Sequence, residues 1–495
     1  MSATQDSLHV EEPLSPAALS ARRWTVAALL MVMVLASMEA TVTSTAMPTI
    51  VGALQGLEHY AWVAAVYLLA STLTMPIYGR LADLLGRKRV LISAIALFAL
   101  GSLCASFAQS MLQLIIFRGV QGLGAGGIMP VVLTIIGDIF TIEQRAKAQA
   151  AFSAVWGTAS LAGPALGWFL VGTAAFRPYV PALFRVYLGW PTVFWVNLPL
   201  ALAAVVVLVI KFEDRHHHHA AADSSPGAAP SATPKEAAPV GTGSMVMSIL
   251  RSPIILPCLI SNALMGVGVF ALETFVPLYV QGGRGMSPGA AAATVTPVML
   301  AWSTSSIFYA SRISRWGFRK MSLIGAAMQS IGFLGLLVAA FFHGPLWTIT
   351  GSLFISGLGF SPGSMATLLA AQDAATYRQR GMATAGITFA RNLGGAFGIA
   401  ILGAILNVLT APGLAAAHLP FPTSQLLDSH KLDAIRQQYP EPLRAAQGAI
   451  SGGLLWIFGA ILAVTLVQWW LARLLPVTKR AKSANRAEAI EAGIS

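Results

Sequence analysis

Charge is scarce in this chain. Of 495 residues only 10% are Asp, Glu, Lys or Arg, 56% are hydrophobic, and mean hydropathy is +0.70. That balance excludes an ordinary soluble globular protein. Acid is scarcer still, with 19 Asp and Glu against 31 Lys and Arg, for a net charge of +12. Cysteine is nearly absent: Cys104 and Cys258 both fall inside apolar stretches, which argues for buried thiols and against a disulfide framework or a cysteine metal site. No His, Asp and Glu pairing at metal-ligand spacing lies in the apolar stretches, and no phosphate loop follows a strand. An enzyme is therefore not expected, and neither is a cofactor.

What the chain has is apolar length. Stretches of spanning length start near Trp24, Tyr60, Val90, Met111, Ala148, Thr192, Ile254, Pro288, Ser322, Leu346, Gly381 and Ile450. This predicts about twelve helices of roughly twenty residues each. Helices satisfy their own backbone in a lipid bilayer, so the fold class is all-α membrane protein. The positive charge recurs in alternate loops. About 23 Lys and Arg fall in the tails and even-numbered loops, about 6 in the others and about 2 inside spans. The positive-inside rule then predicts that both termini are cytoplasmic, in a multi-pass protein of the cell inner (plasma) membrane, and removes nucleic acid as a partner. The segment before Arg22 and Arg23 carries Asp6, Glu11 and Glu12 and lacks a basic start, so the first span reads as an anchor that stays in place.

Composition changes abruptly after the sixth span. Ala, Pro, Ser, Gly and His dominate there, with Pro226, Pro230, Pro234 and Pro239 breaking any helix, and His216 to His219 form a tract with no assigned role. The predicted organisation is a tail over 1–23, a six-helix bundle over 24–210, a cytoplasmic linker over 211–252, a second six-helix bundle over 253–476 and a tail over 477–495.

Between the second and third spans runs Gly79-Arg-Leu-Ala-Asp83-Leu-Leu-Gly86-Arg87-Lys88-Arg89. Gly79 and Gly86 are expected to supply the backbone freedom of a tight reversal. Asp83 is either a local ion-pair partner or a cap on the positive end of another helix. The turn after the eighth span, Ser311 to Lys320, echoes this motif but has no acid, with Arg315 nearest the Asp83 position.

The motif resembles the loop between spans two and three of the major facilitator superfamily. Arg118-Gly-Val-Gln121-Gly122-Leu-Gly124-Ala-Gly126-Gly127 is similar to its fourth-helix signature, and Gly157 with Gly163-Pro164-Ala-Leu-Gly167 to its antiporter motif. Met38-Glu39-Ala-Thr41 to Pro48, Trp62 to Ala70, Trp190 to Pro199, Gln372-Asp373, Arg380 to Thr384 and Arg391 to Gly395 extend the likeness to the drug:proton antiporter branch. The resemblance implies two six-helix bundles around a central cavity that alternate in access, exchanging protons for amphipathic or lipophilic small molecules. A dedicated exporter or importer of a single metabolite, lipid or siderophore is the alternative, and a non-transporting membrane sensor a remoter one. A monomer is expected. The chain departs from the branch in having Glu39 where aspartate is usual, Pro191 where arginine is usual, and no helices in the linker where fourteen-span members carry two.

Glu39, Arg118, Glu273 and Arg391 are the ionisable residues lying well inside spans, where a charge costs about 2.5–3.5 kcal/mol on insertion scales. Glu39 and Arg118 fall at similar depth, so contact is feasible. A carboxylate beside a guanidinium loses its proton more readily, whereas desolvation favours the protonated form. Glu39, Arg118 and Glu273 are thus the proton-coupling candidates, with a static ion pair as the plainer alternative. Glu273 sits among aromatics suited to a lipophilic cation, or pairs with Arg391. Gly79, Asp83, Gly86, Arg87, Gly163, Pro164 and Gly381 are the gating candidates, Asp83 as a latch on the start of the eleventh span near Gly381. Trp62, Tyr67, Trp156, Phe270, Phe275, Phe389 and Arg391 are the cavity candidates. The outer segments Val171 to Gly189 and Val408 to Ala449 are long, and Leu426, Leu427, Leu432, Ile435 and Leu443 predict an amphipathic helix at the outer surface.

Overall fold

The computed structural model describes residues 16–140, 157–159, 162–173, 188–212, 247–375, 380–427 and 429–476. Its first half contains α1 (Pro16–Leu54), α2 (Tyr60–Leu85), α3 (Arg87–Ser106), α4 (Met111–Ile139), α5 (162–172) and α6 (Thr192–Lys211). The second half contains α7 (Ile255–Leu278), which closes in a π turn over Tyr279–Gly283, then α8 (Pro288–Ala310), α9 (Ile313–Phe341), α10 (Leu346–Ala374) and α11 (Arg380–Ala416). A short surface helix, α12 (Ser429–Gln438), precedes the last long one, α13 (Pro440–Ala472). Eleven helices among the described residues are long and apolar enough to cross a membrane. The expected fifth span is described only over 157–159 and 162–172, and the linker lies outside the described residues.

The turn between α2 and α3 is a single residue. Gly86 stands at φ 87°, ψ 146°, a conformation essentially closed to residues with a Cβ. Gly317 repeats it in the second half at φ 75°, ψ 164°. Superposing these glycines sets Ser314, three residues earlier, opposite Asp83. This corrects the alignment on Arg315, and the echo still has no acid. Gly79 does not share the requirement: it lies within α2, and a Cβ there meets nothing within 4 Å. Gly86→Ala should therefore cost about 1–3 kcal/mol of stability, measurable as a lower melting temperature of the solubilised protein. A Gly79→Ala variant should melt like the wild type.

Because consecutive spans alternate in direction, the Gly86 turn, the start of α1, the end of α6 and the Gly317 turn share one end of the bundle. This is the basic end. At the opposite, far end, one apolar core is shared by both halves: Val42, Ile50, Tyr60, Val63 and Phe194 pack in the same cluster as Val269, Phe275, Tyr279, Leu402 and Ile450. At the basic end the core divides. Leu29, Ile95, Ile135 and Leu208 form a cluster of first-half residues alone, and Cys258, Ala371, Ala383 and Ile387 form one of second-half residues alone. The described residues thus seal the two halves together at the far end and leave them separately packed at the basic end.

The segment after α11 contains an amphipathic helix, as expected, and the helix occupies only part of the segment. α11 runs on to Ala416 and α13 begins at Pro440, so α12 is only ten residues long. Leu426, Leu427, Leu432, Ile435 and Leu443 are all buried, in the core shared by both halves. Each such side chain contributes roughly 1.5–3 kcal/mol when taken out of water. Arg436 donates to the carbonyl of Gly285 at 3.3 Å, and a Cβ on Gly282 would meet Leu427 at 2.8 Å, so the segment caps the end of α7.

Candidate functional site

Small residues let the helices approach closely enough to bury a polar centre. In α4, a Cβ on Gly122 would lie 2.5 Å from the Tyr67 carbonyl, on Gly124 2.3 Å from the Phe98 amide, and on Gly126 2.2 Å from the Ser71 carbonyl. The glycine run is a packing seam against α2 and α3, the usual work of small residues in membrane helices. Gly163 and Gly167 of α5 do the same against α1, their Cβ positions lying 1.8 Å from Thr41 Oγ1 and 2.7 Å from the Val42 carbonyl. The antiporter-like motif thus grips α1 two to three residues from Glu39.

Glu39 and Arg118 are 1% and 2% exposed and are joined directly, Arg118 Nη1 donating to Glu39 Oε1. Thr43 Oγ1 also donates to Oε1 at 2.9 Å, and Asn197 Nδ2 of α6 donates to Oε2 at 2.5 Å. Arg118 Nη1 further donates to Gln121 Oε1 at 2.6 Å. Gln121 and Asn197 both donate to Ser102 Oγ of α3, at 2.8 and 3.0 Å. Tyr67 lies under the guanidinium at 4.1 Å and Phe194 at 5.9 Å. Three donors thus converge on one carboxylate, and two aromatic faces lie against the guanidinium. Arg118 Nε has no hydrogen-bond partner among the described residues.

Gln121, Asn197, Ser102 and Thr43 are absent from the candidates chosen on sequence. A signal existed. Gln121 follows Arg118 by three residues, which sets both on one helix face, and an amide among apolar residues needs a partner.

The second half differs. Glu273 is buried at 9% exposure and makes no hydrogen bond or ion pair among the described residues. It does not pair with Arg391, which removes that alternative in this conformation. α7 and α11 are pressed together instead through Gly266, whose Cβ would lie 1.8 Å from the Arg391 carbonyl, and Gly394, 2.1 Å from the Ala263 carbonyl. Gly359-Phe-Ser361-Pro-Gly363 has the spacing of a nucleophile elbow but lies within α10, with Ser361 Oγ against Met365 Sδ at 3.6 Å.

The remaining candidates scatter. Tyr67 joins the Arg118 site, and Phe270, Phe389 and Arg391 are partly buried. Phe275 is fully buried in the shared far-end core, where it lines a small pocket with Tyr60 and Leu278. Trp62 is 45% exposed in the first turn of α2, the position of an interfacial anchor. Trp156 and the side chain of Asp83 lie outside the described residues. Gly381 is exposed, and a Cβ there meets nothing within 4 Å, so no described residue covers the start of α11 at that point. Arg87 lies at the start of α3, and its neighbour Lys88 donates to the carbonyls of Val209, at 2.9 Å, and Phe212, capping the end of α6.

The sequence model of the Major Facilitator Superfamily matches residues 29–399. The chain belongs to this superfamily. It is 31% identical over 439 residues to Multidrug transporter protein MdtP of Bacillus subtilis, covering 81% of this chain and 78% of that protein. It is 28% identical to Multidrug resistance protein 3 of the same organism, covering 78% and 80%. In fold it is similar to a bacterial homologue of the human lysosomal transporter Spinster in an inward-facing, unoccupied conformation (TM-score 0.72, 16% identity, 94% of this chain and 98% of that one). It is also similar to a D-xylose-proton symporter (TM-score 0.64, 15% identity, 92% and 98%). The chain is thus a multi-pass membrane transporter and not an enzyme.

Proposed function

We propose that this protein is a proton-coupled antiporter that exports amphipathic and lipophilic compounds, cationic ones among them, by alternating access. The observation that carries the reading is the sealed Glu39–Arg118 pair in the first half. Support for the substrate class comes from the multidrug transporters among its relatives and from the unpaired Glu273. The excess of Lys and Arg at the basic end supports a cytoplasmic placement of that end and of both termini, in a protein read as one of the inner membrane. The divided core at that end then corresponds to a conformation open inward.

The pair and its donors all sit in the first half, so rigid rocking of one half on the other would not separate them. α1 supplies the link. At its far end Gln281 Nε2 donates to the Thr45 carbonyl at 3.2 Å and Thr49 Oγ1 donates to Gln281 Oε1 at 3.5 Å, while Tyr60 of α2 donates to the Thr274 carbonyl at 2.8 Å. Opening the far end must break these contacts. Thr45 is about 9 Å along the helix from Glu39, at 1.5 Å per residue. A shift of α1 that withdraws Glu39 from Asn197 or Arg118 frees its carboxyl from these donors, and proton exchange at Glu39 is tied to that shift. The membrane potential adds about 2.3 kcal/mol per charge per 100 mV.

The test is expression in a host stripped of its own efflux pumps, challenged with chemically unrelated lipophilic cations and neutral drugs, with and without a protonophore. Tolerance to several compounds, abolished by the protonophore, is expected. Tolerance to one compound alone, or tolerance that survives collapse of the proton gradient, would overturn the reading.

A further inference from the structure

A second polar centre lies in the other half, lined by none of the residues given a part in transport. Ser261 and Asn262 of α7, Ser322 and Gln329 of α9, Thr367 of α10 and Gln468 of α13 line a small cavity of about 10 Å³ for the centre of a water-sized sphere. Three side-chain oxygens of these residues, Asn262 Oδ1, Gln329 Oε1 and Gln468 Oε1, are buried and without a hydrogen-bond partner among the described residues. Their amide nitrogens are committed elsewhere. Asn262 Nδ2 donates to the Cys258 carbonyl at 3.0 Å and to Thr367 Oγ1 at 2.7 Å. Gln329 Nε2 donates to the Gly359 carbonyl at 3.2 Å, and Gln468 Nε2 to the Ser261 carbonyl at 2.9 Å. Turning any of the three amides over would set oxygen against a backbone carbonyl, so these bonds fix which atom of each amide is left over. The cavity is an acceptor-rich pocket with no basic side chain in its lining.

We propose that this cavity binds one small alkali cation, sodium in preference to potassium. Leaving a buried acceptor unpartnered costs the full desolvation of that group, so an occupant that satisfies all three is favoured. A single water has two protons to donate, so the third oxygen then depends on a hydroxyl of Ser261 or Ser322 as donor. A cation has no such limit, and the hydroxyls of Ser261 and Ser322 add neutral oxygens to its shell. The absence of a carboxylate excludes divalent ions, whose oxygen sites carry formal negative charge. The volume excludes an organic cation and favours the smaller alkali ion. Neutral oxygens do replace the hydration shell of alkali ions in channel filters. Asn262 is about 10 Å from the basic end of α7, at 1.5 Å per residue, so the ion would tie α7, α9, α10 and α13 together at that depth.

Thermal unfolding of the purified full-length protein in sodium, potassium and choline chloride at equal ionic strength tests this. Sodium should raise the melting temperature saturably by about 2–4 °C over choline, and potassium by less. Gln329→Leu should abolish the sodium response and Ser322→Ala should weaken it, with binding of radiolabelled sodium following the same order. Identical melting of the wild type in all three salts would mean that water serves these oxygens, and would overturn the proposal. So would a sodium response left unchanged in Ser322→Ala and Gln329→Leu.

Discussion

Glu39→Gln should reduce transport driven by a pH gradient in proteoliposomes by at least tenfold while folded protein is still recovered. The glutamine keeps an oxygen for Asn197 and Thr43 but leaves Arg118 buried beside a neutral amide, at 2% exposure. Removing one member of a buried pair costs about 3–5 kcal/mol, so a lower melting temperature should accompany the loss. Glu39→Asp separates the two effects. It keeps the charge and shortens the reach, and should retain more transport than Glu39→Gln. Equal rates in Glu39→Gln and the wild type would remove Glu39 from the coupling mechanism.

Gly266→Val should abolish recovery of folded protein, the largest structural effect expected. The added Cβ would lie 1.8 Å from the Arg391 carbonyl and 3.0 Å from the Gly395 amide, both backbone atoms that no side-chain rotation can move. Ordinary overpacking costs about 1–3 kcal/mol where side chains can yield, and here α7 and α11 must separate as whole helices. Gly459→Val in α13 is the matched control, since a Cβ there meets nothing within 4 Å. Size-exclusion profiles should be monodisperse for the control and aggregated for Gly266→Val. Two normal profiles would mean that the α7–α11 seam is looser than described.

The sequence was legible wherever a residue's own chemistry constrains its place. Apolar length located the spans, and the cost of an arginine in a membrane pointed Arg118 toward an acid at equal depth. The glycines of α4 read correctly as packing. What stayed hidden depends on which helices become neighbours. Asn197 reaches Glu39 from 158 residues away, and periodicity along one helix carries no information about that distance. Leu426 to Leu443 carry the spacing of an amphipathic helix, and α12 follows it, but the spacing alone does not show that the core receiving its apolar face is shared by both halves. The acceptor cavity escaped notice for the same reason. Asn262, Gln329 and Gln468 are single amides in three separate apolar runs, and only their convergence gives them meaning.

The central claim is that Glu39 exchanges its proton in response to substrate. Its most direct test is proton release from purified protein in weak buffer when tetraphenylphosphonium, a lipophilic cation, is added. The wild type should release protons, and Glu39→Gln less than half as many at equal binding. Equal release from both would contradict the account.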